Sequence, residues 1–150
     1  LKEGINMAVI LASSCLLGCE CRYKGDGCKC DALIKLAESN TIIGVCPEQM
    51  GGLPTPRDPA ERQGDKVISC AGKDVTKAYT KGAETALYFA KLNHVDFAVM
   101  KAKSPSCGKG LIYDGTFTGN KIPGNGVTVE LLNANGIPVF TEDELDQLPL

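Results

Sequence analysis

The chain has 150 residues, 43% of them hydrophobic and 23% charged, and a formal net charge of −2 at pH 7. That length suits one domain with a real core, and the composition excludes a disordered, collagenous or coiled-coil chain. The charge balance offers no basic patch for DNA, and no apolar run approaches the ~20 residues of a membrane span.

At the start of the chain, Lys2, the run Met7–Ala12 and then Ser13-Ser14-Cys15 imitate a lipoprotein leader. The run is shorter than the about seven apolar residues an export signal needs, and Glu3 interrupts the positive leader. Ala8 to Ser13 therefore reads as a buried strand, and the protein as cytoplasmic. Cys15 to Cys30 is a Gly- and Cys-rich loop. Asp31 caps a helix through Glu38 whose apolar side is Leu33, Ile34, Leu36 and Ala37. Thr41 to Val45 is a second buried strand, and the Pro- and Gly-rich stretch from Gln49 to Gly64 is loop. Asp65 to Ser69 and Lys73 to Val75 flank Cys70-Ala71-Gly72 as a small hairpin. Asp74 or Thr76 caps a long helix to Leu92, with Tyr79, Ala83, Ala86, Leu87 and Ala90 on one face. Asp96 to Met100 is a third strand, Lys101 to Gly110 a loop, and Leu111 to Phe117 a second hairpin around Asp114-Gly115. Gly124-Asn125-Gly126 opens a helix from Val127 to Asn135 that Gly136 ends. Pro138 to Phe140 is a fourth strand, and Thr141-Glu142-Asp143-Glu144 starts a short helix with a capping box.

Buried strands alternating with helices predict an α/β fold. It is a single-domain, Rossmann-like parallel sheet of about four strands over residues 1–150, with helices on both faces and one or two small β-hairpins. In such a sheet, ligands bind at the carboxyl ends of the strands.

Cysteine is the unusual component. There are eight: Cys15, Cys19, Cys21, Cys28, Cys30, Cys46, Cys70 and Cys107. A chain long enough to pack a core, with no export signal, favours reduced thiols over a disulfide framework. Cys15, Cys46 and Cys107 each follow a different predicted strand and stand in loops beside Gly, Pro or Ser, where packing has little use for them. The topology brings all three to one sheet edge. A closed zinc site wants four ligands, and an iron–sulfur cluster usually takes four thiolates. Three on a 4Fe-4S cube leave one iron open, a Lewis acid suited to a sulfur-bearing substrate.

Five blocks carry a family resemblance. They are Ser13-Ser14-Cys15-Leu16-Leu17-Gly18 with Cys21-Arg22-Tyr23-Lys24-Gly25; Val45-Cys46-Pro47-Glu48 with Gly51-Gly52-Leu53-Pro54-Thr55-Pro56-Arg57; Gly72-Lys73-Asp74-Val75-Thr76; Lys101-Ala102-Lys103-Ser104-Pro105-Ser106-Cys107-Gly108; and Gly124-Asn125-Gly126-Val127-Thr128. In this order they resemble the thiouracil desulfurase family of iron–sulfur-dependent desulfidases over nearly the whole chain. The resemblance implies a 4Fe-4S cluster on Cys15, Cys46 and Cys107 and non-redox removal of sulfur from a thiolated uracil. It also implies an acid/base role for Glu48 and a positioning role for Ser104. Glu48, two residues from Cys46, is tethered near any metal there, and a carboxylate can take a proton from water and return it to a leaving group. The resemblance implies a small thiolated pyrimidine as substrate; base, nucleotide and thiolated tRNA all stay open, whereas DNA and membrane are not expected.

The sequence departs from the family in Cys19, Cys28, Cys30 and Cys70, and in Lys24, where an Asp is usual. Cys19-x-Cys21 and Cys28-x-Cys30 offer four sulfurs to a second, zinc site, but zinc pairs are usually separated by two to four residues, so free surface thiols are the plainer reading. Gly124-Asn125-Gly126 could bind a substrate oxygen or simply turn the chain. Arg22 and Arg57 could bind an anion or form surface ion pairs. The lone His94 reads as a helix-end residue. Two other classes compete, an iron–sulfur electron carrier and a zinc-binding interaction module. A carrier normally needs four clustered cysteines.

Overall fold

Val9–Ser13 lacks polar alternation because both of its faces are covered. In the computed structural model, which describes residues 7–150, it forms strand β1, with Ile10, Leu11 and Ala12 fully buried. Lys2 and Glu3 of the leader-like start lie outside the described residues. β2 (Thr41–Val45) lies parallel to β1 on one side and β5 (Phe97–Met100) on the other. β8 (Val139–Thr141) continues the sheet beyond β5, giving the parallel order β2-β1-β5-β8. The predicted four-stranded parallel sheet is therefore present.

Successive strand residues point to opposite faces, and each face has its own core. Ile10, Ala12, Phe97 and Val99 pack with Leu33 of α1 (Asp31–Lys35) and with Leu145. Leu11, Ala98 and Met100 pack with Ala86 and Ala90 of α3 (Thr76–Leu92) and with Val129 and Leu132 of α4 (Val127–Ala134). The predicted face of α3 is buried at Tyr79, Ala83, Ala86 and Ala90, and Leu87 is partly covered. Among the described residues, no helix is long and apolar enough to cross a membrane.

Several boundaries differ from expectation. Cys30, not Asp31, caps α1. Its carbonyl accepts the N–H groups of Leu33 and Ile34, while Asp31 turns outward to Lys29. α1 then tightens into a 3-10 turn over Leu36–Glu38. The Pro-rich stretch holds a short helix, α2 (Pro47–Met50), which Pro47 can begin because the first helical N–H has no partner to lose. It also holds strand β3 (Ala60–Gln63), which pairs antiparallel with β4 (Lys66–Ser69). The first hairpin therefore turns at Gly64-Asp65 rather than at Cys70-Ala71-Gly72. Lys73–Val75 lies along the other edge of β4, with Ser69 donating to the Lys73 carbonyl and Val75 to the Val67 carbonyl, but makes only one isolated bridge. The second hairpin joins β6 (Leu111–Tyr113) to β7 (Lys121–Pro123) through a wider turn than Asp114-Gly115 alone. Thr141 and Glu144 form the expected capping box, on a 3-10 helix over Glu142–Gln147.

Candidate active site at the carboxyl edge of the sheet

From β1 the chain crosses to β2 on one side and later to β5 on the other, so the carboxyl ends of β1 and β5 flank the reversal of strand order, where open α/β sheets bind ligands. A cavity of about 520 Å³ opens there. Cys15, Cys46 and Cys107 all line it, as do Glu48 and Ser104.

Each thiol is fixed by its own backbone. Cys15 is buried in a 3-10 turn directly after β1, and its carbonyl accepts the N–H groups of Gly18 and Cys28, folding the Cys-rich loop over it. Burial, with Cys28 and Cys46 close by, pushes its thiol up to about 11. Cys46 caps α2 directly after β2. As a thiol it reaches the Cys21 carbonyl at 3.8 Å. As a thiolate it is held by the Cys21 thiol and the Gln49 N–H, which bring it down to about 6 despite its burial. Burial pushes the Cys107 thiol up to about 12, with the Ser13 hydroxyl opposing.

The Cys107 loop is tied down twice. Ser104 Oγ accepts the N–H groups of Ser106 (3.1 Å) and Cys107 (3.0 Å), and the buried hydroxyls of Ser106 and Thr128 meet at 2.8 Å. The first N–H groups around α4 also point at this loop: Gly126, Val127 and Thr128 donate to the carbonyls of Gly108, Pro105 and Ser106. Those N–H groups are therefore unavailable to a substrate oxygen, which corrects the ligand reading of Gly124-Asn125-Gly126; they clamp a cysteine loop instead.

Glu48, on α2, is braced by Arg57. Arg57 Nε donates to Glu48 Oε1 at 2.9 Å, with the two side chains only 7% and 15% exposed. The remaining Arg57 nitrogens reach the carbonyls of Cys21 (2.9 Å) and Pro54 (3.1 Å) and the Thr55 hydroxyl (3.0 Å). Arg57 is thus a bracket for the site, not a free anion binder. Tyr79, 2% exposed, stands near Glu48 on α3; burial, then the Glu48 charge, hold its hydroxyl well above the usual range, so it stays protonated. Arg22 lines the cavity and pairs with Asp26 at 3.4 Å.

Cys21, buried against Cys46, is a fourth thiol on the cavity wall. Cys19 and Cys70 are exposed and Cys28 and Cys30 half-buried, all outside the lining. Among the described residues, no three His, Cys, Asp or Glu side chains converge on a point that could hold one metal ion. The suggested zinc site at Cys19, Cys21, Cys28 and Cys30 therefore has no geometric basis. His94 follows the end of α3 with a left-handed backbone (φ 53°), away from the cavity.

The sequence reading missed Tyr79 as a site residue. It shares the spacing of the core alanines, and the available signal was that a buried tyrosine hydroxyl must find a partner. The contribution of Cys21 depends on how its loop folds back, which spacing does not reveal.

Residues 10–144 match the family model of 2-thiouracil desulfurase. The chain is 42% identical over 150 residues to the uncharacterised protein YbbK of Bacillus subtilis (strain 168), covering 93% of this chain and 99% of that protein. It also superposes on the solved structure of a [4Fe-4S]-dependent thiouracil desulfidase, TudS (DUF523Vcz), with a TM-score of 0.89 and 44% identity over 95% of each chain.

Proposed function

Because the chain belongs to the 2-thiouracil desulfurase family, we propose that it converts a thiolated uracil, of the 2-thiouracil or 4-thiouracil type, and water into uracil and sulfide without net redox chemistry. The observation that carries this reading is the meeting of three thiols from three strand ends with a braced carboxylate in one cavity.

The donor set suits a 4Fe-4S group. It is all thiol, the donor type that iron–sulfur clusters take, and the three thiols line one cavity. Cys15, Cys46 and Cys107 would hold it. When bound, it supplies an iron without a protein ligand, a Lewis acid for the thiocarbonyl sulfur. Glu48 takes a proton from the attacking water at its carboxylate and returns it toward the departing sulfur. Arg57 keeps that carboxylate facing the cavity. Ser104 Oγ already accepts two backbone N–H groups, so its own proton is free to donate to the substrate carbonyl while the same oxygen fixes the Cys107 loop. All eight cysteines are unpaired, which suits a reducing compartment such as the cytoplasm.

The test is anaerobic reconstitution, counts of iron and acid-labile sulfide, and then sulfide release from a panel of 2-thiouracil, 4-thiouracil, their nucleotides and thiolated tRNA. Sulfide and uracil appearing in equal amounts from one member supports the proposal and identifies the substrate form. A fully loaded protein that releases sulfide from none of them overturns it in favour of an electron carrier. A colourless protein without labile sulfide points to the zinc module.

A further inference from the structure

The turn from Asp114 to Asn120 between β6 and β7 is built of small and polar residues with one exception, Phe117. Phe117 is 37% exposed, belongs to neither core, and lines the cavity together with Tyr113. Its backbone is left-handed (φ 57°), a conformation that bulky residues rarely adopt and that the surroundings must impose.

The surroundings do impose it. Glu61 Oε1 accepts the N–H groups of Gly115 (2.9 Å) and Phe117 (3.1 Å), and Gln63 Nε2 donates to the Gly115 carbonyl (3.0 Å). Gly115 sits so close to β3 that a Cβ there would press on Gln63 Cγ at 2.6 Å. Inside the turn, Asp114 accepts from Thr116 and Asn120. The backbone of an aromatic residue that belongs to neither core is thus held in an unfavourable conformation at the edge of the cavity that the thiols line. Strain kept in place by so many bonds, at a residue outside both cores, is typical of a ligand-contacting position.

Resting on the desulfuration reading, we propose that Phe117 is the platform on which the pyrimidine ring stacks, with Tyr113 beside it. A stacked ring keeps its edge, and so its thiocarbonyl, directed along the cavity toward the cysteines and Glu48. The site would therefore select planar thiolated pyrimidines over non-aromatic thiocarbonyl compounds. Aromatic stacking of one base corresponds to about 5- to 150-fold in affinity, as judged by alanine substitution.

Two measurements on the cluster-loaded protein test this. In steady-state desulfuration, Phe117→Ala should raise KM at least about fivefold with iron content near wild type, and Phe117→Tyr should restore KM. The chain has no Trp, so Phe117→Trp introduces a single indole whose fluorescence should change on adding uracil. Tyr88→Trp, at an exposed position of α3 outside the cavity lining, should not respond. A KM for Phe117→Ala within about twofold of wild type, loss of its cluster, or an indole emission in Phe117→Trp unmoved by saturating uracil would overturn the proposal. If the wild type releases no sulfide while uracil still shifts the indole emission, the desulfuration reading fails and the stacking platform stands.

Discussion

Glu48 owes its place to Arg57, nine residues further along the chain. Arg57 holds one carboxylate oxygen and ties it to the Cys21 and Pro54 carbonyls. The proximity of Glu48 to Cys46 was legible because one proline separates them. The bracket was not, because an ion pair across a Pro-rich loop depends on the path of that loop. Glu48→Gln keeps the size of the side chain but cannot accept the proton. We expect it to retain full iron and labile sulfide while turnover falls at least ~100-fold, the lower end of general acid–base contributions. Wild-type turnover would make Glu48 a bystander, and loss of the cluster would make it a structural residue.

α2 is too short to hold its own position, and its seat is backbone contact with α3. A Cβ at Gly82 would overlap the Pro47 carbonyl, and one at Gly51 would overlap the Ala78 carbonyl. Gly in a helix interior normally costs about 0.5–1 kcal/mol relative to Ala, so Gly82→Ala ought to stabilise α3. Here it should instead destabilise the protein by about 1–3 kcal/mol, as overpacking does, and shift α2 with Glu48. Urea unfolding decides the sign. At the far end of the chain, the capping box was legible from Thr141 and Glu144 because its spacing is local. What the spacing did not show is Lys109, whose Nζ lies 2.8 Å from Glu144 and, with the Thr141 N–H, holds that carboxyl below the usual range. A carboxyl lowered on folding contributes stability above its unfolded value, about 4.3, and loses it as pH falls through the folded value. The stability gap between wild type and Glu144→Gln should therefore be open at pH 7 and close as pH drops below about 4; a gap independent of pH would remove this role. The hairpins were the least legible elements. Gly64 and Gly72 are both left-handed turn glycines flanking β4, and only pairing with the polar segment Ala60–Gln63 distinguishes the true hairpin.

Over the whole molecule, the parallel sheet was readable because buried strands such as Ile10–Ala12 and Phe97–Met100 leave unbroken apolar runs, and the sheet alone brings three distant loops to one edge. The cavity wall was less readable: Cys21, Tyr79, Arg57 and Phe117 reach it from four separate segments by tertiary contact. The central claim is that Cys15, Cys46 and Cys107, and not Cys19, Cys28, Cys30 or Cys70, carry the cluster. The most direct measurement is iron and acid-labile sulfide per chain after anaerobic reconstitution of cysteine variants. Wild type should hold about four of each, as should the variant with Cys19, Cys28, Cys30 and Cys70 all changed to Ser, while Cys15→Ala, Cys46→Ala and Cys107→Ala should each lose them. A cluster that survives loss of any of these three, or that disappears with the other four, would contradict the account.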